Sequence, residues 1–189
     1  FGLAMTGTML AFGGLWAVPY LRTVYALDRA DAAAVASLMF IGWGIAAPFI
    51  GWGSDRLGRR RPIMVAGGAL TTLTLAALFH WPGLPLWGAA ALIAANGAAA
   101  SSMMLSFACV REHNLPAASG AAYGLVNTFV VGSGALLQPL IGWLLDLGWD
   151  GQVVDGARVY DPEAFRWALT VLPAASRIQD SISQKSLSL

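Results

Sequence analysis

The sequence predicts an all-α protein, a polytopic transmembrane helical bundle, and three observations predict it. Of the 189 residues, 57% are hydrophobic and only 11% charged, against about 25% charged in a soluble domain. The charges are confined to short segments: none falls within 1–21, 32–54, 62–110 or 114–145. A helix crosses the roughly 30 Å hydrocarbon core with about 20 apolar residues, which these runs supply. Third, the alternation expected of barrel strands is missing, so backbone groups in lipid must be satisfied within helices. A net charge of +1 and a mean hydropathy of +0.64 exclude a soluble enzyme, a nucleic-acid binder and a disordered chain. The single cysteine, Cys109, excludes a disulfide framework, a thiol redox pair and a Cys-based zinc site.

The elements follow in order. A first helix is expected over 2–21 and a second over 33–54, after a charged connection. A third, 62–80, follows the segment 55–61. The tight turn His80, Trp81, Pro82, Gly83, Leu84 and Pro85 splits the uncharged stretch 62–110 and starts a fourth helix, 86–109. A fifth spans 119–145. Segment 146–166 reads as a small hairpin, with Asp155-Gly156 turning between Gln152-Val153-Val154 and Ala157-Arg158-Val159-Tyr160. Asp161 and Pro162 make an N-cap and first-turn pair for a partial last helix, 163–175. Its apolar run, Phe165 to Ala175, is too short to cross. From Ser176 the chain turns polar, with five serines in fourteen residues and Lys185 the only lysine. Residues 1–175 are therefore expected to be a piece of a larger membrane protein. Residues 176–189 are expected to be a tail, disordered or foreign to it.

Arginine density sets the orientation. Arg56, Arg59, Arg60 and Arg61 crowd 55–61, and Arg111 sits in 110–118. Arg22, Arg29, Arg158 and Arg166 are spread over the longer alternate segments. The positive-inside rule makes 55–61 and 110–118 cytoplasmic.

An internal repeat carries the most information. Pro48-Phe49-Ile50-Gly51-Trp52-Gly53-Ser54-Asp55 aligns with Pro139-Leu140-Ile141-Gly142-Trp143-Leu144-Leu145-Asp146 at an offset of 91. The copies end the second and fifth helices, which run in opposite directions. The chain thus reads as two inverted units of three helices, a construction common in secondary transporters.

Gly51-x-x-x-Asp55-Arg56-x-Gly58-Arg59-Arg60-Arg61 resembles the G-x-x-x-D-[RK]-x-G-R-[RK] signature of the major facilitator superfamily; Gly53 departs from the leucine usual at its place. Arg111-Glu112-His113-Asn114, Ser119-Gly120, Gly124-x-Val126-Asn127 and Gln138-Pro139-x-Ile141-Gly142 resemble the C-terminal half of that family. The stretch Asp161 to Pro173 is similar to the opening of its twelfth helix. The resemblance implies helices 7 to 11 and part of 12, with the N-terminal half missing, and a gate built from Gly51, Asp55, Arg56, Gly58, Arg59 and Arg60. Gly51 is expected at a close helix contact, and Asp55 is expected to accept from nearby arginines and from amides at the next helix start. Gly58 is expected to allow the reversal, and Arg59 to Arg61 to meet anionic headgroups. The simpler reading of the same segment is a basic anchor that only fixes topology.

The resemblance also implies that helices 7 and 10 line the solute path. Trp16 and Tyr20 flank Pro19 on the first helix, and Asn96 lies midway along the fourth. Asn127 and Gln138 are amides of the fifth. Each is a substrate-path candidate, and each equally fits an interhelical hydrogen bond of about 0.6–2 kcal/mol. Other patterns fail on context. Gly42-x-Gly44-x-x-Ala47 follows no strand, His80 and His113 belong to opposite membrane faces, and the acidic residues of 146–163 lack calcium-loop spacing. Recurrent glycines (Gly42, Gly44, Gly51; Gly132, Gly134, Gly142) read as close packing.

The expected function is transport of a small solute by alternating access in the cytoplasmic membrane, without cofactor, metal or nucleic acid. The partners are the solute, the lipid bilayer and the missing half. The alternatives are an intramembrane enzyme, for which no nucleophile or carboxylate stands at membrane depth, and a non-transporting scaffold, which has no use for an inverted repeat around a charged hinge.

Overall fold

The structure, a computed structural model, describes residues 2–154 and 157–176. The Asp155-Gly156 turn and the tail beyond Ser176, including Lys185, lie outside the described residues. The first helix passes through three segments, Gly2–Ala11, a π turn Phe12–Trp16, and Ala17–Tyr25. Gly13 and Gly14 weaken that turn, and Pro19 gives no N–H to the Leu15 carbonyl, so the ladder widens where it is weakest. The second and third helices are Arg29–Leu57 and Arg60–His80. The fourth is Leu86–Ala100, a 3₁₀ turn Ser101–Met103, and Met104–His113. The fifth is Pro116–Leu147, and the sixth opens as Pro162–Leu169 and continues through 171–176. Between them Val153 pairs antiparallel with Arg158, and Val154 with Ala157.

The helices outrun the uncharged stretches. The second begins at Arg29 because the Asp28 carboxylate accepts from the Asp31 amide at 2.7 Å, an N-cap bond. The Arg-rich connections shrink to Gly58-Arg59 and Asn114-Leu115. Gly58 makes the first reversal at φ +63, where any other residue would be strained. Backbone hydrogen bonding does not stop at the hydrocarbon boundary, since charged side chains on a helix end reach headgroups and water directly. Asp161 stands at the N-cap of the sixth helix, but its side chain makes no capping bond.

Arg29–Leu57, Arg60–His80, Leu86–Glu112 and Ala118–Leu147 are each long and apolar enough to cross a membrane. The first helix, unbroken over 2–25, rises about 36 Å at 1.5 Å per residue. Phe49, Trp87, Leu136 and Trp167 are each more than two-thirds exposed, a surface suited to lipid. The chain is a multi-pass membrane protein.

Two extensive crossings organise the bundle, second helix against fourth and first against fifth. The 91-residue repeat exchanges first with fourth and second with fifth, so these are one contact made twice. At the second–fourth crossing a Cβ on Gly42 would overlap the Ala94 carbonyl oxygen, and one on Gly97 the Met39 carbonyl oxygen. At the first–fifth crossing a Cβ on Gly7 would lie 2.8 Å from Ser133 Oγ, and one on Gly134 2.9 Å from Leu10 Cβ.

The sixth helix docks despite its short apolar run. Phe165, Ala168, Leu169 and Leu172 are buried. Phe165 joins a cluster of edge-to-face rings, 6.3 Å from Tyr20, which itself lies 5.6 Å from Phe79; Phe12 and Phe79 are 5.3 Å apart. Ser176, expected to open the polar tail, is instead buried in the last turn, its hydroxyl accepting from Thr72 at 2.8 Å. A serine can pack there because the third helix offers a hydroxyl partner.

Candidate functional site at the Arg-rich end

Arg60 occupies the first turn of the third helix, where the reversal at Gly58 turns its side chain back toward the end of the second. Its Nη1 donates to the Asp55 carboxylate and, at 3.1 Å, to the buried Ser54 hydroxyl. Its Nε and Nη2 donate to one oxygen of Glu112, at 3.2 and 2.8 Å. One planar guanidinium therefore joins the ends of three helices, a fork geometry that lysine could not reproduce. The Arg60 side chain is 23% exposed, against 67% for Asp55 and 45% for Glu112. The cation is enclosed while its two anions stay wet. The contact also places 55–61 and 110–118 at the same end of the bundle.

The rest of the motif takes separate places. Arg56 lies over the Trp52 ring, 5.6 Å from its centroid. Arg59 is the exposed residue preceding the third helix, with no capping bond from its side chain. Gly51 differs from expectation: a Cβ there would meet nothing within 4 Å, as at Gly44 and Gly132. These three glycines face away from the bundle. Gly42, Gly134 and Gly142 do pack, the last with a Cβ position 3.3 Å from the Trp16 ring.

The substrate-path candidates separate by burial. Tyr20 is 1% exposed, and its hydroxyl donates to the Leu78 carbonyl at 3.0 Å. Asn96 is also 1% exposed; its amide donates to Thr74 Oγ1 at 2.8 Å and the Thr71 carbonyl at 3.2 Å. Both tie the helices of this bundle to one another. Trp16 and Gln138 form a reciprocal clasp of the first and fifth helices: Trp16 Nε1 donates to the Gln138 carbonyl, and Gln138 Nε2 to the Leu10 carbonyl, each at 3.1 Å. Asn127 is exposed on the fifth helix.

Sequence reasoning passed over Glu112 and Ser54. Glu112 had a signal: a carboxylate beside Arg111, at the end where the other arginines gather, must neutralise one of them. Ser54 had none.

The opposite end carries a second cluster. Asp146, the repeat counterpart of Asp55, accepts from Arg158 at 2.7 Å and from the Tyr160 hydroxyl at 2.6 Å. The carboxylate holds the Arg158 guanidinium even more firmly protonated than usual. Burial, and then that same carboxylate, pushes the Tyr160 hydroxyl up. Among the described residues no group of His, Cys, Asp and Glu is placed to hold a metal ion.

The family model of the Major Facilitator Superfamily matches residues 1–172. No match is found among curated proteins or among solved structures. The chain belongs to the major facilitator superfamily, and its general role is that of a membrane transporter.

Proposed function

We propose that this member of the major facilitator superfamily is the C-terminal six-helix half, helices 7 to 12, of a secondary transporter. It moves a small solute across the cytoplasmic membrane by alternating access. The observation that carries this reading is the Arg60 junction. It links three helices through carboxylates that remain in water, where exposed ion pairs hold one arrangement without locking it. Such a junction selects a conformer and releases it.

The uncovered surfaces support a missing partner half. Only 11% of the apolar window of Arg29–Leu57 and 28% of that of Ala118–Leu147 is buried, against 44% and 50% for the third and fourth helices. Gly44 and Gly51 on one, and Gly124 and Gly132 on the other, meet nothing within 4 Å of a Cβ position. Small residues let helix backbones approach closely in membranes, and the N-terminal half is the partner proposed for these faces, with lipid around the remainder. Asn127 stands on the uncovered fifth helix and is the amide best placed for solute.

In the full-length parent, Arg60→Ala and Asp55→Ala are expected to slow solute uptake roughly five- to tenfold, the scale of a conformational coupling. Membrane levels should stay unchanged. Normal initial rates in both variants would reduce the junction to a topology anchor.

A further inference from the structure

At the end opposite the Arg60 junction, a cavity of about 690 Å³ opens between the first helix and the hairpin leading into the sixth. Sites for small organic ligands run from about 300 to 1,000 Å³, mostly apolar with a few placed polar groups. Trp16, Tyr160 and Phe165 form an aromatic wall here, while Arg22 and Arg158 bring two guanidiniums. Asp161 is the carboxylate on the rim, among the described residues.

The two arginines are unequal. Arg158 is held from behind, with Asp146 taking Nη1 at 2.7 Å and the Trp149 ring centroid 4.5 Å from its guanidinium carbon. Its side chain stays 49% exposed, with donors left over. Asp146 fixes its direction and balances its charge. Arg22 is exposed and makes no ion pair among the described residues.

We infer that this cavity binds a small organic anion, an aromatic carboxylate. Arg22 supplies a guanidinium that makes no ion pair among the described residues, and Arg158 a pre-oriented fork matching two carboxylate oxygens. Trp16 and Tyr160 cover the apolar body, with Phe165 packed behind them. The inference concerns binding alone and stands whether or not the chain moves solute.

Titration calorimetry on the protein in lipid nanodiscs tests it, with benzoate as probe and empty nanodiscs as the partition baseline. Benzamide and benzylamine keep the ring and change the charge. Benzoate should bind saturably and more tightly than either analogue by about tenfold or more, as charge-assisted hydrogen bonds require. Arg22→Gln and Arg158→Gln should each weaken it by about tenfold, and Arg29→Gln, outside the cavity, should leave it unchanged. Because Arg22 is exposed and makes no ion pair among the described residues, its replacement leaves the fold intact. No saturable benzoate binding, equal binding of all three probes, or an unchanged affinity in Arg22→Gln overturns the inference.

Discussion

The second–fourth and first–fifth helix crossings occupy equivalent places in the internal repeat, yet they pack to different depths. The offset of 91 carries Gly42 to Ser133 and relates Gly97 to Thr6. Where one crossing has glycine on both helices, its counterpart has a hydroxyl on both. Glycine lets backbone meet backbone at Ala94 and Met39, while at the other crossing Gly7 and Gly134 face side-chain atoms, those of Ser133, Leu137 and Leu10. Ser133 turns its oxygen to the Val130 carbonyl at 2.6 Å, and Thr6 donates to the Met103 sulfur. An inverted repeat thus conserves which helices meet and leaves free how closely. The same contrast holds at the ends. Asp55 and its arginine bind three helices together, while Asp146 and its arginine pin only a hairpin.

The largest effect should come from Gly97→Ala, because the new methyl overlaps a backbone oxygen that cannot move alone. A net loss of roughly 1–3 kcal/mol is expected, read by SDS titration of unfolding in mixed micelles. Gly134→Ala in the looser crossing meets the Leu10 side chain and gains helix propensity, so its cost should be about 1 kcal/mol or less. Equal costs would erase the distinction between the crossings. Next in size, Arg60→Ala should lower the unfolding midpoint, whereas Asp146→Asn should leave the midpoint in place and speed tryptic cleavage after Arg158. A midpoint that falls equally in both would mean that the two charged ends do the same work. The smallest effect is expected for Ser133→Gly. A loss of about 0.5 kcal/mol in helix propensity is opposed by closer approach of the first and fifth helices, so the midpoint should move little. A clear stabilisation would show that the hydroxyl alone keeps that crossing wide.

The sequence made the class and the spans legible because lipid tolerates so few charges that their gaps draw the helices directly. Helix ends were not legible, since Arg29, Leu57 and His113 lie in helical backbone beyond the uncharged runs. The Arg-rich spacing makes a charged junction legible, and Arg60 does meet Asp55 beside the reversal at Gly58; a gating role is not something that contact tests, and the reach to Glu112 needs the fourth helix in place. Gly51 and Gly42 look alike on paper, and only the direction each faces separates an outward glycine from one pressed on a carbonyl. Tyr20 and Asn96 showed polar atoms at membrane depth, but nothing in the sequence revealed that Leu78 and Thr74 would be their partners.

The ring cluster of Phe12, Tyr20, Phe79 and Phe165 has a consequence for biogenesis. The sixth helix offers lipid a stretch of only eleven residues, Phe165 to Ala175, interrupted by Arg166 and Thr170 and preceded by Glu163, and it partitions poorly into lipid by itself. Phe165 finds its seat on Trp16 and Tyr20 of the first helix, with Phe79 of the third packed against Tyr20, and these rings leave the ribosome long before it. Integration of this last segment is therefore templated: the earlier helices must already be assembled, and a ring lost from the first helix would be felt at the other end of the chain.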